Sequence, residues 1–463
     1  MIPVALNPLI DHFRVLRITP IVVGGYVRDS LLGIQSHDID IELYGVDSSQ
    51  SLSDLLKPFG NVCEVGKSYG VTKLRYDGYE IDFSLPRTET KTTQGHRGFA
   101  VKTYATIDFA TAARRRDFTI NAIGYNPITD TLLDPYFGEA DLRAKKLRCV
   151  DPMTFVEDPL RILRAVQFVA RFDLIGDPEL LGLCRRMVEQ GALEELPKER
   201  IFEEIKKLLL RSPSPSKGFA LLKEMGGLIF FKELLDLEKT PQDFFSHPEG
   251  NVWIHTLIAL DTMVQYKTGE SKQDLILFLA ILLHDIGKPC TTIVCDGILN
   301  APKHAEAGVE PTRTFLERLT NEKELIERIV PLVRYHGAVR KLFQTGAEDS
   351  ALRHLSTHVK IDDLIVVARA DFYGRAFVGE IPRCFEAGEW LHCRAESLGI
   401  LQAPPQPLLL GRDLIALGLS PSPAFKTLLD AAYTAQLDGI FKSHEEAVSW
   451  ISCSFNSVIA HTV

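Results

Sequence analysis

The chain has 463 residues, with 52 Lys and Arg against 61 Asp and Glu, and a formal net charge of −9. Its 45% hydrophobic and 24% charged residues exclude a disordered chain, a collagen and a disulfide miniprotein. The negative charge argues against a protein that coats nucleic acid over its whole surface, although it leaves a local basic groove open. The longest apolar run, 275–283, is much shorter than the ~20 residues of a membrane span, so we expect no membrane contact.

The N-terminal residues and the cysteines indicate the compartment. The segment MIPVALNPLIDHF lacks a basic region followed by a long apolar core, so we expect no signal peptide. The eight cysteines form no CxxC pair, which argues against a zinc finger and favours free thiols in a reducing, cytoplasmic setting. We expect most of them to pack in the core.

Residues 1–140 predict a mixed β-sheet with flanking helices. The segment PIVVGG predicts a strand that enters a glycine turn, and YVRDSLLG predicts a short helix that ends at Gly33. Three more segments alternate in the manner of half-buried strands: DIDIELYG, VTKLRY and YEIDFSL. Asp77 and Gly78 separate the last two and predict a hairpin. The polar stretch 87–97 has no periodicity and predicts a mobile loop.

Helical patterns dominate after Asp151. EDPLRILRAVQFVARF and ERIFEEIKKLLLR predict amphipathic helices. Residues 212–218 predict a turn or linker, and the proline-rich residues 402–407 predict a stiff linker. The segment from GRDLIALGL to EEAVSWI predicts one or two further helices. The order of elements therefore predicts an α+β protein, with a mixed sheet first and helices after it.

The glycine pair Gly24 and Gly25 indicates a phosphate site. It follows a strand and opens a helix, where the backbone can approach a phosphate and the helix N-terminus favours an anion. Arg28 adds donors that suit a triphosphate. A glycine pair alone is more often only a tight turn, so the interpretation depends on the acidic residues that follow.

Asp38 and Asp40 are two residues apart on a predicted strand, so their side chains point to the same side. Paired carboxylates repel unless a cation lies between them, and Mg²⁺ prefers such hard oxygen ligands. Asp82, on another alternating strand, is the candidate third carboxylate. Such acids can hold the attacking hydroxyl and the leaving pyrophosphate in line around two metal ions. A solvent-facing acidic strand explains any one of these signals alone, but explains their combination poorly.

The pattern GGYVRD…HDIDIELYG resembles the nucleotidyltransferase superfamily. RRRDFTINAIGYNP, LLDPYFGEADL and FVEDPLRILRAVQFVARF are similar to successive motifs of class II tRNA nucleotidyltransferases, the CCA-adding enzymes. The resemblance implies template-independent addition of C, C and A to the tRNA 3′ end from CTP and ATP. It implies roles at the nucleotide for these residues: Gly25, Arg28, Arg115, Arg116, Asp117, Asn121, Asp158, Arg161 and Arg164.

The segment from Asp158 indicates how a base could be read. Asp158, Arg161 and Arg164 are spaced by three residues, so all lie near one helix face. A carboxylate beside a guanidinium complements the edges of cytosine and adenine but not that of uracil. The same spacing also fits an ordinary surface salt bridge. The resemblance implies base reading by Asp158 and Arg161, and a base or triphosphate contact by Arg164.

A second candidate site begins where the apolar run LILFLAILL meets His284 and Asp285. Polar groups at the end of a buried helix need partners, and Ni, Mn, Co, Fe or Zn would suit this N and O donor set, with Mg²⁺ as a further candidate. Capped helix ends and core histidines are the alternative. The order H…HD…D resembles the HD phosphohydrolase superfamily. That resemblance implies two sets of residues: the metal ligands His255, His284, Asp285 and Asp371, and His304, His336, Lys288 and Arg375 for a second metal or phosphate.

The resemblance implies four regions: a nucleotidyltransferase head at 1–140, a helical neck and body at 141–240, an HD phosphohydrolase-like domain at 241–400, and a helical tail at 401–463. The HD domain implies hydrolysis of 2′,3′-cyclic or 2′-phosphates in tRNA end repair. Loop 87–108 is the candidate switch from CTP to ATP. The alternatives are an A-adding or CC-adding partial enzyme, a poly(A) polymerase and an RNA-binding scaffold. We expect a monomer or homodimer that binds the tRNA acceptor end.

Overall fold

The computed structural model describes residues 1–46, 48–65, 71–91, 99–103, 107–376 and 384–459. They form two compact units, Met1–Phe231 and Lys232–Val463. Of the helices in these residues, none is both long and apolar enough to cross a bilayer.

The strands of the first unit are β1 Thr19–Val23, β2 Asp38–Tyr44, β3 Val62–Val65, β4 Val71–Tyr76, β5 Tyr79–Ser84, β6 Arg87–Lys91, β7 Phe99–Thr103, β8 Gly124–Asn126, β9 Thr131–Leu133, β10 Lys146–Leu147 and β11 Ile175–Gly176. Seven of them form one sheet in the order β3-β4-β5-β2-β1-β8-β9. Strands β2 and β5 are parallel, whereas β1 runs antiparallel to β2. Alternate β2 residues Ile39 and Ile41 are buried, as the period of a strand predicts. The mixed sheet confirms the predicted α+β class.

The predicted hairpin is confirmed: Asp77 and Gly78 have φ values of 47° and 82° and join the antiparallel strands β4 and β5. The predicted loop over 87–97 is wrong at its start, because β6 pairs antiparallel with β7. The two partners are separated by residues 92–98, so local periodicity did not reveal the pairing. Residues 92–98 and 104–106 of the candidate switch loop lie outside the described residues.

The helices of the first unit are α1 Asn7–Val15, α2 Gly25–Leu31, α3 Ser49–Leu56, α4 Phe109–Ala113, α5 Gly138–Arg143, α6 Pro152–Phe155, α7 Leu160–Phe172, α8 Pro178–Glu189, α9 Lys198–Arg211 and α10 Pro215–Glu224. Helix α7 packs against α9 and α10. A Cβ atom on Gly218 would lie 2.5 Å from Leu208 Cδ1, so this glycine permits the close approach of α10. The prediction of a turn or linker holds over 212–214, which connect α9 to α10. It is wrong from Pro215 onward, because Pro215 is the first residue of a helix, a position that tolerates proline.

The second unit contains α11 Lys232–Glu238, α12 Val252–Met263, α13 Ser271–Leu283, α14 Lys288–Thr291, α15 His304–Ala307, α16 Val309–Leu319, α17 Lys323–Tyr335, α18 Ala338–Gln344, α19 Asp349–Ser356, α20 Ile361–Tyr373, α21 Glu386–Ser397, α22 Gly411–Ala416, α23 Ala424–Leu437 and α24 His444–Ile459. It also has a short hairpin, β12 Ile293–Cys295 with β13 Ile298–Asn300. The tail forms three helices rather than one or two. They share a core that includes Leu414, Ala432 and Ile451.

All eight cysteines are free thiols, as predicted. The expectation that most of them pack in the core is wrong, because only Cys149 and Cys184 are buried. Burial raises the pKa of the Cys184 thiol to about 12, which keeps it protonated and unreactive near neutral pH. The other six cysteines are exposed and contribute little to packing.

Candidate nucleotide pocket and metal centre

The glycine turn and the acidic strand meet in the first unit. Val23 of β1 lies opposite Asp40 of β2 in the antiparallel register. Gly24 has φ 72°, and a Cβ atom there would lie 3.6 Å from Asp40 Oδ2 and 3.1 Å from Arg116 Nη1. Glycine therefore lets the turn lie directly beside a carboxylate and a guanidinium. The next residue, Gly25, begins α2.

The three predicted carboxylates lie on one face of the sheet. Asp38 and Asp40 are two apart on β2, and Asp82 of β5 is the parallel neighbour of Asp40. The Asp40 side chain is exposed to solvent, but the surrounding protein reduces its hydration. This desolvation, together with the negative charge of nearby Asp82, raises the pKa of Asp40 to about 6. Lys73 Nζ lies 3.1 Å from Asp82 Oδ1.

These acids fit Mg²⁺ by their chemistry and their mutual repulsion. In the described part of the chain, however, the carboxylate oxygens of Asp38, Asp40 and Asp82 do not all lie within 4.8 Å of one another. Asp38 and Asp40 would hold the ion, and the Lys73 contact makes Asp82 the weaker candidate for a third ligand.

Glu42 continues the β2 series of acidic residues and is only 1% exposed. Its Oε1 atom accepts hydrogen bonds from Arg115 Nη2 and Arg116 Nη2, each at 2.9 Å. Burial alone would raise the pKa of Glu42, but Arg116 and Arg115 hold it below its usual value. Glu42 therefore stays charged and fixes two arginines that the sequence assigned to the nucleotide.

We expect Glu42→Ala to lower the free energy of unfolding by about 3 to 5 kcal/mol, because two largely buried guanidinium groups would lose their carboxylate. The measurement is the urea midpoint followed by circular dichroism. The exposed Glu80, which pairs with Arg75, gives the matched control Glu80→Ala, whose midpoint should not move. Equal midpoints for Glu42→Ala and the unaltered protein would contradict the structural role of Glu42.

Asp117 organises a second group of pocket residues. It accepts hydrogen bonds from Arg164 Nε at 2.6 Å and from Asn121 Nδ2 at 2.9 Å. Burial alone would raise the pKa of Asp117, but Arg164 and Asn121 hold it below its usual value. Asn121 Oδ1 in turn accepts from Arg28 Nη1 at 2.5 Å, and Arg28 also donates to Asp29. Four of the predicted residues, Arg28, Asp117, Asn121 and Arg164, are thus joined in one hydrogen-bonded network.

The predicted base-reading residues do not pair with each other in this structure. Asp158 Oδ2 accepts from Arg200 Nη2 at 3.0 Å, whereas Arg161 donates to the backbone oxygens of Thr154 and Arg115. The alternative of a surface salt bridge between Asp158 and Arg161 therefore does not hold. Asp158 Oδ1 also accepts from the backbone NH of Leu160, the first residue of α7, at 3.2 Å.

These side chains surround a cavity of about 490 Å³. Its lining includes every residue that the resemblance assigned to the nucleotide, together with Asp40: Gly25, Arg28, Asp40, Arg115, Arg116, Asp117, Asn121, Asp158, Arg161 and Arg164. Arg200 also lines the cavity, and Glu42 accepts hydrogen bonds from two of the lining arginines. The sequence analysis missed both. The alternation 38, 40, 42 could have revealed Glu42, but no local signal marked Arg200.

The second unit brings the predicted HD residues together. His255 on α12, His284 at the end of α13 and Asp371 on α20 converge, with His255 Nε2 3.0 Å from Asp371 Oδ1 and 3.3 Å from His284 Nε2. Asp285 Oδ2 lies 3.2 Å from His284 Nε2, and it is buried without a hydrogen bond of good geometry. His284 and Lys288 hold the pKa of buried Asp285 well below its usual value, although burial alone would raise it.

A second set shares Asp285. His304 Nε2 lies 3.1 Å from His336 Nε2 and 3.4 Å from Asp285 Oδ1. Gly287 permits this arrangement, because a Cβ atom there would lie 2.1 Å from the backbone oxygen of His304. Asp285, His304 and His336 form one group of donors within 4.8 Å, and His255, His284 and Asp285 form another.

The histidine tautomers show that this site fits a cation. The Nδ1 atoms of His284, His304 and His336 lie 2.7 to 2.8 Å from backbone carbonyl oxygens, and a carbonyl only accepts, so Nδ1 carries the proton. The Nε2 atoms therefore present lone pairs to one another and to Asp285. Converging acceptors favour a bound cation, and this outer hydrogen bonding is typical of metal-bound histidines.

Further residues contact the candidate metal ligands. Lys288 Nζ lies 2.7 Å from Asp285 Oδ2, and Arg375 Nη2 lies 3.5 Å from Asp371 Oδ1. Both basic side chains therefore contact carboxylates of the candidate metal ligands. The sequence analysis missed Glu249, whose Oε1 accepts from His255 Nδ1 at 2.9 Å. It orients this histidine, and the loop that carries it has no periodic signal.

Family models match both units. The Poly A polymerase head domain matches residues 21–148, a model described as the probable RNA and SrmB-binding site of polymerase A matches 177–237, and the HD domain matches 252–374. The first match includes all three candidate Mg²⁺ ligands, and the third includes the four primary HD ligands.

Curated relatives match over most of the chain. A multifunctional CCA protein of Xylella fastidiosa (strain M12) is 34% identical over 365 residues, which cover 76% of this chain and 83% of the relative. A multifunctional CCA protein of Alkalilimnicola ehrlichii is 33% identical over 370 residues, covering 78% and 85%.

Solved structures show the same fold. The CCA-adding enzyme of Bacillus stearothermophilus in complex with CTP has a TM-score of 0.68 at 20% identity, covering 99% of this chain and 100% of that one. The Thermotoga maritima enzyme complexed with tRNA has a TM-score of 0.59 at 21% identity, covering 98% and 96%. The curated relatives are named multifunctional CCA proteins, and the residues of both candidate sites come together in this chain. The chain therefore belongs to the class II CCA-adding tRNA nucleotidyltransferases, of the multifunctional bacterial type that carries an HD domain.

Proposed function

We propose that the first unit adds C, C and A to the tRNA 3′ end from CTP and ATP without a nucleic-acid template. The observation that carries this proposal is the cavity in which the glycine turn, Asp40 and the arginines of three motifs meet. The relatives' name supports it, as do similar folds solved with CTP, ATP and tRNA. We further propose the division into head 1–140, neck and body 141–240, HD domain 241–400 and tail 401–463.

Asp38 and Asp40, with Asp82 as third candidate, would hold Mg²⁺ at the edge of this cavity. The bound ions would lower the pKa of the tRNA 3′ hydroxyl and stabilise the leaving pyrophosphate in a two-metal transfer. Arg116, which lies beside Gly24 and Asp40, and its neighbour Arg115 would contact the triphosphate. Arg28 and Asn121 position Asp117 and α2 through the network described above.

Base selection is assigned to Asp158 and Arg161, with Arg164 beside them. Asp158 offers an acceptor and is held in place by Arg200, while Arg161 is held by two backbone oxygens. An acceptor and a donor fixed separately can face the amine and the ring nitrogen of cytosine or adenine. Uracil presents the opposite order and would leave both groups unpaired, which discriminates strongly.

The HD domain is proposed to hydrolyse 2′,3′-cyclic or 2′-phosphates at tRNA ends. The convergence of two sets of donor atoms on Asp285 supports this hydrolytic function. Ni, Mn, Co, Fe or Zn would suit these nitrogen and oxygen donors best. In ring opening, a water oxygen bonds to phosphorus, one ribose P–O bond breaks, and the water proton passes to the leaving ribose oxygen. Lys288 and Arg375 would balance phosphate charge next to the ligand carboxylates.

The direct test incubates tRNA transcripts that lack CCA, lack CA or lack A with CTP and ATP, singly and together, and resolves product lengths on a gel. We expect each transcript to end at CCA when both nucleotides are present. Extension beyond one A would favour a poly(A) polymerase. Addition of A alone, or of CC alone, would indicate a partial enzyme. No incorporation into any transcript would reject nucleotide addition by the first unit.

A further inference from the structure

An aromatic pair projects from the loop before α12 in the second unit. Phe244 is 67% and Phe245 is 92% exposed, and their ring centroids lie 6.2 Å apart in an edge-on arrangement. Exposing two adjacent phenylalanines costs solvation free energy that burial would recover. Two adjacent exposed aromatic rings are therefore a candidate binding surface.

The loop that carries this pair is fixed to the metal centre at both ends. At its start, Gln242 Oε1 accepts from Lys288 Nζ at 2.6 Å. At its end, Glu249 accepts from the ligand His255. The residues on either side of the pair, Asp243 and Ser246, line the cavity of about 340 Å³ that contains Asp285. Phe244 and Phe245 are therefore carried by a segment whose flanking residues on both sides line this cavity.

Arg340 on α18 lines the same cavity and is exposed. Lys288 and Arg375 contact ligand carboxylates, but in the described part of the chain no carboxylate forms an ion pair with Arg340. Its donors are therefore available to an anion that enters the cavity. A guanidinium suits phosphate because it can donate two parallel hydrogen bonds.

We propose that Phe244, Phe245 and Arg340 bind the unpaired 3′ end of an RNA strand at the HD centre. A nucleobase stacks on one of the two rings, and Arg340 contacts the phosphate that is presented to the metal ligands. Single-stranded RNA is typically held in this way, by aromatic stacking of splayed bases and by cations on the backbone. This inference rests on the proposed hydrolytic function and adds that the substrate is recognised by its base.

The kinetic test compares two phosphodiesters in the metal-loaded full chain. One is a short RNA that ends in a 2′,3′-cyclic phosphate, and the other is bis-p-nitrophenyl phosphate, which has no nucleobase. We expect Phe244→Ala with Phe245→Ala to raise KM for the RNA by about tenfold and to leave KM for the small diester unchanged. Arg340→Ala should raise KM for both, and Arg340→Lys should restore part of the loss.

Exposed residues elsewhere in the second unit provide controls. Ile440, which is 61% exposed, gives Ile440→Ala for the aromatic pair. Lys341, exposed next to Arg340 on α18, gives Lys341→Ala. Both controls should leave both KM values unchanged. Equal effects of the phenylalanine variant on both diesters, or no effect on the RNA, would overturn the proposal.

If the unaltered protein hydrolyses neither diester, the proposed hydrolytic activity is rejected, but RNA binding at Phe244 and Phe245 can still be tested by a second measurement. An RNA with 4-thiouridine next to its 3′ end is photocrosslinked to the protein, and the attachment site is mapped by mass spectrometry. We expect a crosslink at Phe244 or Phe245 that the double alanine variant loses. Crosslinks confined to Met1–Phe231 would overturn the proposal.

Discussion

Asp40→Ala is expected to lower nucleotide incorporation by about three orders of magnitude or more, while tRNA binding persists. Asp40 lies beside the glycine turn and next to Asp38 and Asp82, so its loss removes the carboxylate best placed to hold Mg²⁺ against the triphosphate. Charge stabilisation of the leaving pyrophosphate then fails. The measurement is radiolabelled CTP incorporation into a transcript that lacks CCA, with tRNA affinity measured separately by filter binding.

Two controls separate chemistry from folding. Glu80→Ala changes an exposed acid on the adjacent strand and should keep full incorporation. Asp40→Ala itself should keep the phosphate release of the HD domain, since that site lies in the other unit. Near-normal incorporation by Asp40→Ala would remove Asp40 from the metal site and with it the proposed role of the acidic strand.

Asp285→Ala should abolish phosphate release from adenosine 2′-phosphate. Asp285 belongs to both donor groups, so its removal weakens both metal positions at once, and the converging histidine lone pairs lose their shared anion. We expect release, measured with a colorimetric phosphate assay, to fall to the no-enzyme rate. Metal content by mass spectrometry should fall in parallel.

The matched control is Asp296→Asn, which changes an exposed acid in the turn between β12 and β13 and should keep both phosphate release and metal. CCA addition should be normal in Asp285→Ala. If Asp285→Ala releases phosphate at the original rate, the histidines serve as core residues and helix caps rather than as a hydrolytic centre.

Sequence alone predicted the parts of each site that are encoded locally. The paired glycines, the two-residue spacing of Asp38 and Asp40 and the Asp77 turn depend on backbone rules that act over a few residues. The histidine–aspartate pair was visible because a strongly apolar helix ends there. These signals sufficed for the mixed sheet, whereas most of the candidate nucleotide and HD residues were implied by the resemblance to known families.

Contacts between distant segments were not predictable in this way. Arg200 reaches Asp158 across 42 positions, and β6 pairs with a strand beyond a seven-residue gap. Helix α10 begins within a proline- and serine-rich stretch because Gly218 allows close packing against α7 and α9. In each case tertiary packing decided the structure, and local composition gave either no signal or the opposite one.

The arginines of the nucleotide pocket have one more consequence. Because Glu42, Asp117 and Asp158 hold guanidinium groups in fixed directions, a triphosphate bound as proposed would meet donors whose rotamers are already set. Binding then costs little side-chain entropy, and the like-charged arginines do not drive each other apart. Replacing such an arginine with lysine would keep the charge but discard this preorganisation. The proposed binding of an anion by this acidic protein would thus depend on geometry rather than on net charge.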